Sequence, residues 1–413
     1  MIAEIITIGD ELLYGQTVDT NSAYLGERLT SLGIEVKHKS TIRDEAKEIA
    51  AAIKLAMERS DLVITTGGLG PTPDDVSKKA ICDYFGKELV LYEDILRKVE
   101  SWYTQKGVEM PAIVRSQALL PQGTIPLSND WGTAPGIFIE EKGKLFFALP
   151  GVPNEMERIF DNGIVPILEE RIPGGRVIAF RTIRTAGISE ARLHEKLSSI
   201  LEETGDIGIA FLPTSSGVDL RLTIKSNNPT EAQRKLDQFE KRIREKAEKY
   251  IYGAGEEILE KAVGDLLRQK KLTVAVAESC TGGLLGKKFT NIPGSSDYFL
   301  GGVITYSDEL KMKLLGVPKE VLEKEGAVSE NCALSMAEGV KKLTGADYGI
   351  SITGIAGPTG GAVDKPVGLV YIGIAGDKGS SARKYVFTKE RDLNRELSAQ
   401  TALNLLRLEL TQS

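Results

Sequence analysis

The stretch Asp61-Leu62-Val63-Ile64-Thr65-Thr66-Gly67-Gly68-Leu69-Gly70-Pro71-Thr72-Pro73-Asp74-Asp75 is the one on which the fold turns. Asp61 to Thr66 is a short apolar and β-branched run that reads as a strand. It stops at two glycines, and a third glycine and two prolines follow before the next helix begins. The preceding segments repeat the unit. Ile2 to Ile8 is a nearly continuous apolar strand, Asn21 to Leu32 is helical and stopped by Gly33, Ile34 to Lys39 is a strand, and Asp44 to Arg59 is helical. Apolar strands interleaved with helices of this length are the pattern of a parallel sheet covered on both faces, with ligands bound at the carboxyl ends of the strands.

The character changes at Pro173-Gly174-Gly175. Arg176 to Ala186 reads as a strand, Ser189 to Glu203 as a helix, Ile207 to Leu212 and Val218 to Lys225 as strands, and Pro229 to Tyr250 as a long helix of alternating charge. Beyond Gly253-Ala254-Gly255 a second α/β block begins. A helix from Glu256 to Lys271 leads into a strand, Leu272 to Ala277, and the loop Glu278-Ser279-Cys280-Thr281-Gly282-Gly283 opens another helix near Leu284. Further strands are expected near Phe299 to Thr305, Asp347 to Thr353, Val367 to Ala375 and Ala382 to Phe387, with a helix from Asp392 to Leu410. The expected architecture is therefore two doubly wound, three-layer α/β domains, residues 1–172 and 254–413, joined by a small α+β module over 173–253.

Composition narrows the chemistry. The chain has 413 residues, 52 Lys and Arg against 58 Asp and Glu, a net charge of −6, and only two histidines, His38 and His194. A His-rich zinc site or a Ser-His-Asp triad is excluded by that shortage, and Cys82, Cys280 and Cys332 are isolated, with no CxxC spacing. Mild acidity argues against general nucleic-acid binding. No apolar run of about 18 residues exists and the N-terminus enters a strand, so no membrane association and a cytoplasmic location are expected.

Three N-terminal loops suit a phosphate-bearing ligand: Gly9 to Gly15 with Asn21 opening the next helix, Gly67 to Asp75, and the pair Asn129 to Gly136 and Leu149 to Met156. Glycines let backbone N–H groups approach an anion, and no lysine follows them as in a P-loop. Gly9, Glu11, Asn21, Gly67, Gly68, Gly70, Thr72, Asn129, Thr133 and Pro150 are the expected binding positions. The acidic residues Asp10, Asp74 and Asp75 are candidates to hold a hard cation such as Mg²⁺. Read more plainly, the aspartates would cap a helix.

In the second block Ser279 lies between a buried strand and a glycine-led helix start, where following N–H groups can face a developing oxyanion. A serine needs a base, and this block has no histidine. Lys311, about one turn into the helix after Tyr306 and Ser307, is the candidate, and it has to be neutral to act. Taken alone, Lys311 reads as a surface residue, Ser279 as a helix cap and Arg391 as the partner of a carboxylate. Cys280 is the rival nucleophile. The loop Thr353-Gly354-Ile355-Ala356-Gly357-Pro358-Thr359-Gly360-Gly361 could hold a phosphate and ribose, with Thr353, Gly354, Gly357, Gly360, Arg391, Cys280, Thr281 and Gly282 as contacts and Tyr306 steadying the proton.

Taken together, Gly9-Asp10-Glu11-Leu12-Leu13, Thr66 to Thr72, Ala277 to Gly283, Gly301 to Ser307, Gly326-Ala327-Val328-Ser329 and Gly354 to Pro358 resemble the competence/damage-inducible CinA family along essentially the whole chain. The resemblance implies a molybdopterin-binding-like N-terminal domain with ADP-ribose pyrophosphatase activity that depends on Mg²⁺ or another divalent cation, with or without K⁺. It also implies a C-terminal nicotinamide mononucleotide deamidase using Ser279 and Lys311, supported by Tyr306, Thr353 and Arg391 and needing no cofactor. A KH-type middle module is implied as well. Thr185-Ala186-Gly187-Ile188-Ser189 lacks the GxxG clamp of nucleic-acid-binding KH domains, so this module is expected to serve as a spacer or in a homodimer. Two alternatives remain open: a non-catalytic N-terminal binding domain, and an accessory role in DNA uptake.

Overall fold

The structure, a computed structural model, describes residues 1–72, 75–172, 177–215 and 217–411. Pro73 and Asp74, and the expected boundary at Pro173-Gly174-Gly175, lie outside the described residues. The chain forms two compact units, Met1–Ala179 with Lys225–Gln233, and Phe180–Ile224 with Arg234–Ser413.

The N-terminal sheet runs in the order Glu35–Ile42, Ile2–Ile8, Leu62–Thr66, Lys144–Leu149, Gly136–Glu141, Ile125–Leu127. Its first four strands are parallel, as the strand and helix alternation implies, and the last two pairings are antiparallel, so the sheet as a whole is mixed. The reason is a tight hairpin. Lys142 and Gly143 take positive φ (51° and 75°), the left-handed pair that a two-residue turn between twisted strands requires. Alternate residues feed opposite faces: Ile5 and Ile64 pack with Leu25 and Leu29 on one side, Ile6 and Val63 with Ile49 and Ile53 on the other. Register fixes the site, because Thr7 pairs with Thr66 and Thr66 with Leu149. Gly9, Gly67 and Pro150 therefore follow three neighbouring strands at one edge.

The middle module holds the expected strands and helices and one more strand. Ile251–Ala254, read in the sequence as the end of a helix and a boundary, pairs antiparallel with Val177–Thr185 and completes a four-stranded sheet. Arg407, 4% exposed on the helix Arg391–Thr411, donates to Ile251 O (3.3 Å) and Lys249 O (2.7 Å) at that strand's start. Burial holds the Arg407 guanidinium below its ordinary value.

The C-terminal sheet runs Phe299–Ile304, Val274–Glu278, Tyr348–Gly354, Leu369–Gly376, Gly379–Val386, with the first three strands parallel and the last two antiparallel. The helix Glu330–Thr344 lies so close to one face that a Cβ at Gly349 would come within 2.1 Å of Ala337 O. Helices Leu259–Lys270 and Arg391–Thr411 share a core with the strands. Glu278 pairs with both Ile304 and Ile352, so Ser279, Thr305 and Thr353 emerge together.

Candidate active sites

Ser279 leaves the central strand with its amide bonded to Ile352 O (2.9 Å), is 9% exposed, and its side chain makes no hydrogen bond among the described residues. It is not a helix cap; the helix Leu284–Thr290 begins at Gly283. The local turn is set by Glu278, 1% exposed, whose carboxylate accepts from the amides of Gly283 (3.0 Å), Leu285 (3.1 Å) and Gly286 (2.8 Å). First-turn amides have no partner within their own helix, and a carboxylate there is favoured by the helix dipole. The expected oxyanion donors are correspondingly fewer. Gly282 N bonds back to Ser279 O (3.1 Å), which leaves the amides of Cys280 and Thr281 as those with no main-chain acceptor.

Lys311 is buried, at 1% exposure, and not on the surface. It lies in the helix Asp308–Leu315, capped by Ser307, and its Nζ donates to Thr305 O (3.0 Å) and Tyr306 O (3.3 Å), with Asp308 at 3.7 Å. Thr305 N in turn donates to Glu278 O (2.8 Å), which sets the lysine's anchor beside the strand that delivers Ser279. No hydrogen bond joins the two side chains.

Around this pair, Arg391 donates to Gly357 O (2.8 Å) and to Tyr306 Oη (3.5 Å), joining three expected contacts, and it pairs with no carboxylate among the described residues. Tyr306 is 62% exposed. Thr353 is turned inward and donates to Ala327 O (2.7 Å). Gly357 and Gly360 have φ of 87° and 88°, left-handed values open to glycine, while Gly354 lies against Val370. Thr281 is fully buried, and its hydroxyl has no partner. Burial pushes the Cys280 thiol up to about 11, which disfavours the thiolate a rival nucleophile needs. Two residues escaped the sequence reading: Arg395, which donates to Thr281 O (2.9 Å), and Asn394, fully buried, which accepts from Thr388 and donates to Ala356 O (2.9 Å), fixing the glycine loop. Asn394 and Ser398 interrupt the buried stripe of that helix at helical spacing, a signal that could have found them.

In the N-terminal domain a cavity of about 540 Å³ is lined by Gly9, Glu11, Gly67, Gly68, Gly70, Thr133 and Pro150 together with Asp44, Asp75 and Gln117. Gly67 has φ 113°, and a Cβ there would meet Ile8 O at 2.2 Å. Among the described residues the amides of Gly68 and Leu69 have no main-chain acceptor. Asn21 and Asn129 act as braces: Asn21 donates to Thr66 Oγ1 (3.0 Å) and Gly151 O (2.8 Å), and Asn129 donates to Ala134 O (2.9 Å) and Glu155 (2.6 Å).

The described acidic residues have different surroundings. Asp75 spends both carboxylate oxygens on its own loop, accepting from Gly70 N (2.8 Å), Thr72 N (2.8 Å) and the Thr72 hydroxyl. Asp74 lies outside the described residues. Asp10 keeps one buried oxygen without a partner, and its amide donates to Asp44 (3.2 Å). Burial, then the charges of Glu11, Asp10 and Asp75, raises the Asp44 carboxyl above its ordinary value, against the lowering effect of the Asp10 amide. Among the described residues no three side chains close on one point as a metal-binding group. An ion bound here would need ligand phosphate oxygens to complete its shell, as Mg²⁺ commonly does.

Three family models match the chain in series: the probable molybdopterin binding domain over residues 4–170, the damage-inducible protein CinA KH domain over 180–253, and the CinA C-terminal domain over 256–410. A CinA-like protein of Salinibacter ruber is 44% identical over 413 residues, covering 100% of each chain, and one of Gemmatimonas aurantiaca is 44% identical over 410 residues, covering 98% of this chain and 96% of its own. The chain belongs to the CinA family. Among solved structures, the CinA protein of Thermoplasma acidophilum is 35% identical with a TM-score of 0.38, covering 41% of this chain and 98% of its own. CinA membership fits the order of the three folds described above. Among the described residues no helix is long and apolar enough to cross a membrane.

Proposed function

We propose that this CinA-family protein is a bifunctional hydrolase of pyridine-nucleotide compounds. The C-terminal domain hydrolyses the carboxamide of nicotinamide mononucleotide to nicotinate mononucleotide and ammonia. Ser279 Oγ attacks the amide carbon while Lys311, acting as the base, takes its proton and passes one to the departing ammonia; water then cleaves the acyl-serine. The Cys280 and Thr281 amides face the developing oxyanion. Arg391, steadied by Gly357 O, takes the phosphate. The observation that carries this reading is the burial of Lys311 at 1% exposure beside the strand end that delivers Ser279.

The N-terminal domain cleaves ADP-ribose to AMP and ribose 5-phosphate. A divalent ion would supply Lewis-acid stabilisation of the phosphoryl charge. The Gly68 and Leu69 amides bind the pyrophosphate, and the buried, unpartnered oxygen of Asp10, between the lining residues Gly9 and Glu11, would take the cation. One observation favours a binding-only role for this domain: Asp75 is consumed in bracing its own loop.

The test is a product assay of the intact chain with both substrates, with and without chelator. Ammonia release is expected in both conditions and AMP release only without chelator. Absence of ammonia rejects the amidase, AMP formed at full rate in excess chelator rejects the metal dependence, and ADP-ribose that raises the melting temperature without being consumed selects the binding role.

A further inference from the structure

Behind the lining of the N-terminal cavity, against Gln117, lies a buried cation that the glycine loops do not require. Lys78, in the first turn of the helix Ser77–Phe85, is only 7% exposed. Its Nζ donates to Ser116 O (2.9 Å) and to Gln117 Oε1 (3.2 Å), with Gln117 O at 3.5 Å. An ammonium group has three donors and no acceptor, so the Gln117 atom facing it has to be the amide oxygen. This settles an orientation that is otherwise a matter of assignment. The amide nitrogen is left over. It is buried, has no partner, and belongs to a residue that is fully buried yet lines the cavity. Leaving such a donor unsatisfied is unfavourable, and a bound acceptor would recover the cost.

The rest of the lining sharpens the point. Glu11, Asp44, Asp75 and Glu155 bring acceptors and negative charge, no lysine or arginine is among the described lining residues, and Gln117 is the only side-chain N–H donor there. We propose that Gln117, held in place by Lys78, donates from Nε2 to a phosphoryl oxygen of the nucleoside diphosphate bound in this cavity, and thereby helps to decide which ligands bind. The inference rests on reading this cavity as the nucleotide site. Lys78 is a positioning residue in this arrangement, its charge lying one amide behind the phosphate.

Calorimetric titration of the full chain with ADP-ribose and with inorganic pyrophosphate, both in excess chelator so that the proposed cleavage does not run, tests it in wild type, Gln117→Leu and Gln117→Glu. Glutamate keeps an acceptor toward Lys78, so that variant retains the wild-type melting temperature while losing the donor. Affinity for both ligands is expected to fall about 10- to 100-fold in each variant, the range for a hydrogen bond to a charged group. Affinity within about threefold of wild type in a stably folded Gln117→Glu protein overturns the inference and leaves the cavity's assignment standing. Loss confined to ADP-ribose overturns the phosphoryl contact, and a wild-type protein that binds neither ligand overturns both this inference and the reading of the cavity.

Discussion

Both α/β domains end a buried parallel strand in a glycine loop, and both fasten that loop with one carboxylate, but from opposite sides of the glycines. In the C-terminal domain Glu278 precedes the loop and reaches forward to three amides around the start of the next helix. In the N-terminal domain Asp75 follows the loop and reaches back to Gly70 and Thr72. The difference decides what charge each site can receive. Glu278 fills the helix end with its own negative charge, which suits the neutral carboxamide proposed to react at Ser279. Asp75 binds within the loop and leaves the Gly68 and Leu69 amides open to an anion. Glu278 is also almost fully buried, whereas Asp75 is only half-buried.

The comparison breaks most sharply at the nucleophile. Ser279→Ala is expected to lower ammonia release by about a thousandfold or more while AMP release from ADP-ribose is untouched; parallel loss of both activities would show that the sites are not separable. Next in size is the difference between the two braces. Glu278→Ala strips a buried charged acceptor from three amides and should cost about 3 kcal/mol in urea unfolding, against about 1 kcal/mol for Asp75→Ala. Equal losses would mean that burial does not separate the two carboxylates.

A smaller effect concerns Lys78, which burial lowers to about 8 although the Asp75 charge opposes it. Between that value and the ordinary lysine value the unfolded chain holds this proton more tightly than the folded protein, so stability rises with pH across that window. Lys78→Met is expected to flatten the rise when unfolding is compared at pH of about 8 and about 10. An unchanged slope would place the titration elsewhere. Smallest of all, Cys280→Ala should leave ammonia release within about twofold of wild type; a loss comparable to that of Ser279→Ala would make the thiol the nucleophile.

Much of this was legible because it is periodic. The strand before Ser279, the strand ending at Thr66 and the helices between them follow from apolar runs and glycine stops, and the register of parallel strands then brings their ends together. What the sequence hid was long-range. The hairpin of Gly136–Glu141 with Lys144–Leu149 breaks the parallel pattern through a turn at Lys142 and Gly143. The strand Ile251–Ala254 follows a charged helix without a clear break and owes its place to pairing with Val177–Thr185. Lys78 and Gln117 are 39 residues apart, and nothing local marks either as buried. Lys311 looked superficial because its neighbours are charged; its burial depends on the carbonyls of Thr305 and Tyr306 above it. The bonds of Asp75 to Gly70 and Thr72 were likewise not legible from its charge.

The Arg407 contact with Ile251 and Lys249 also bears on how the chain is made. The edge strand of the middle module receives one of its anchors from a residue 156 positions later. At about 5–20 residues per second, synthesis leaves that anchor missing for roughly 10–30 s after the strand has been translated. During that interval the newly made module presents an incompletely secured sheet edge, the kind of surface that pairs with other chains. Nascent chains arrested between residues 255 and 400 should therefore be the ones most dependent on chaperone protection, and the arrival of a single buried arginine ends that dependence.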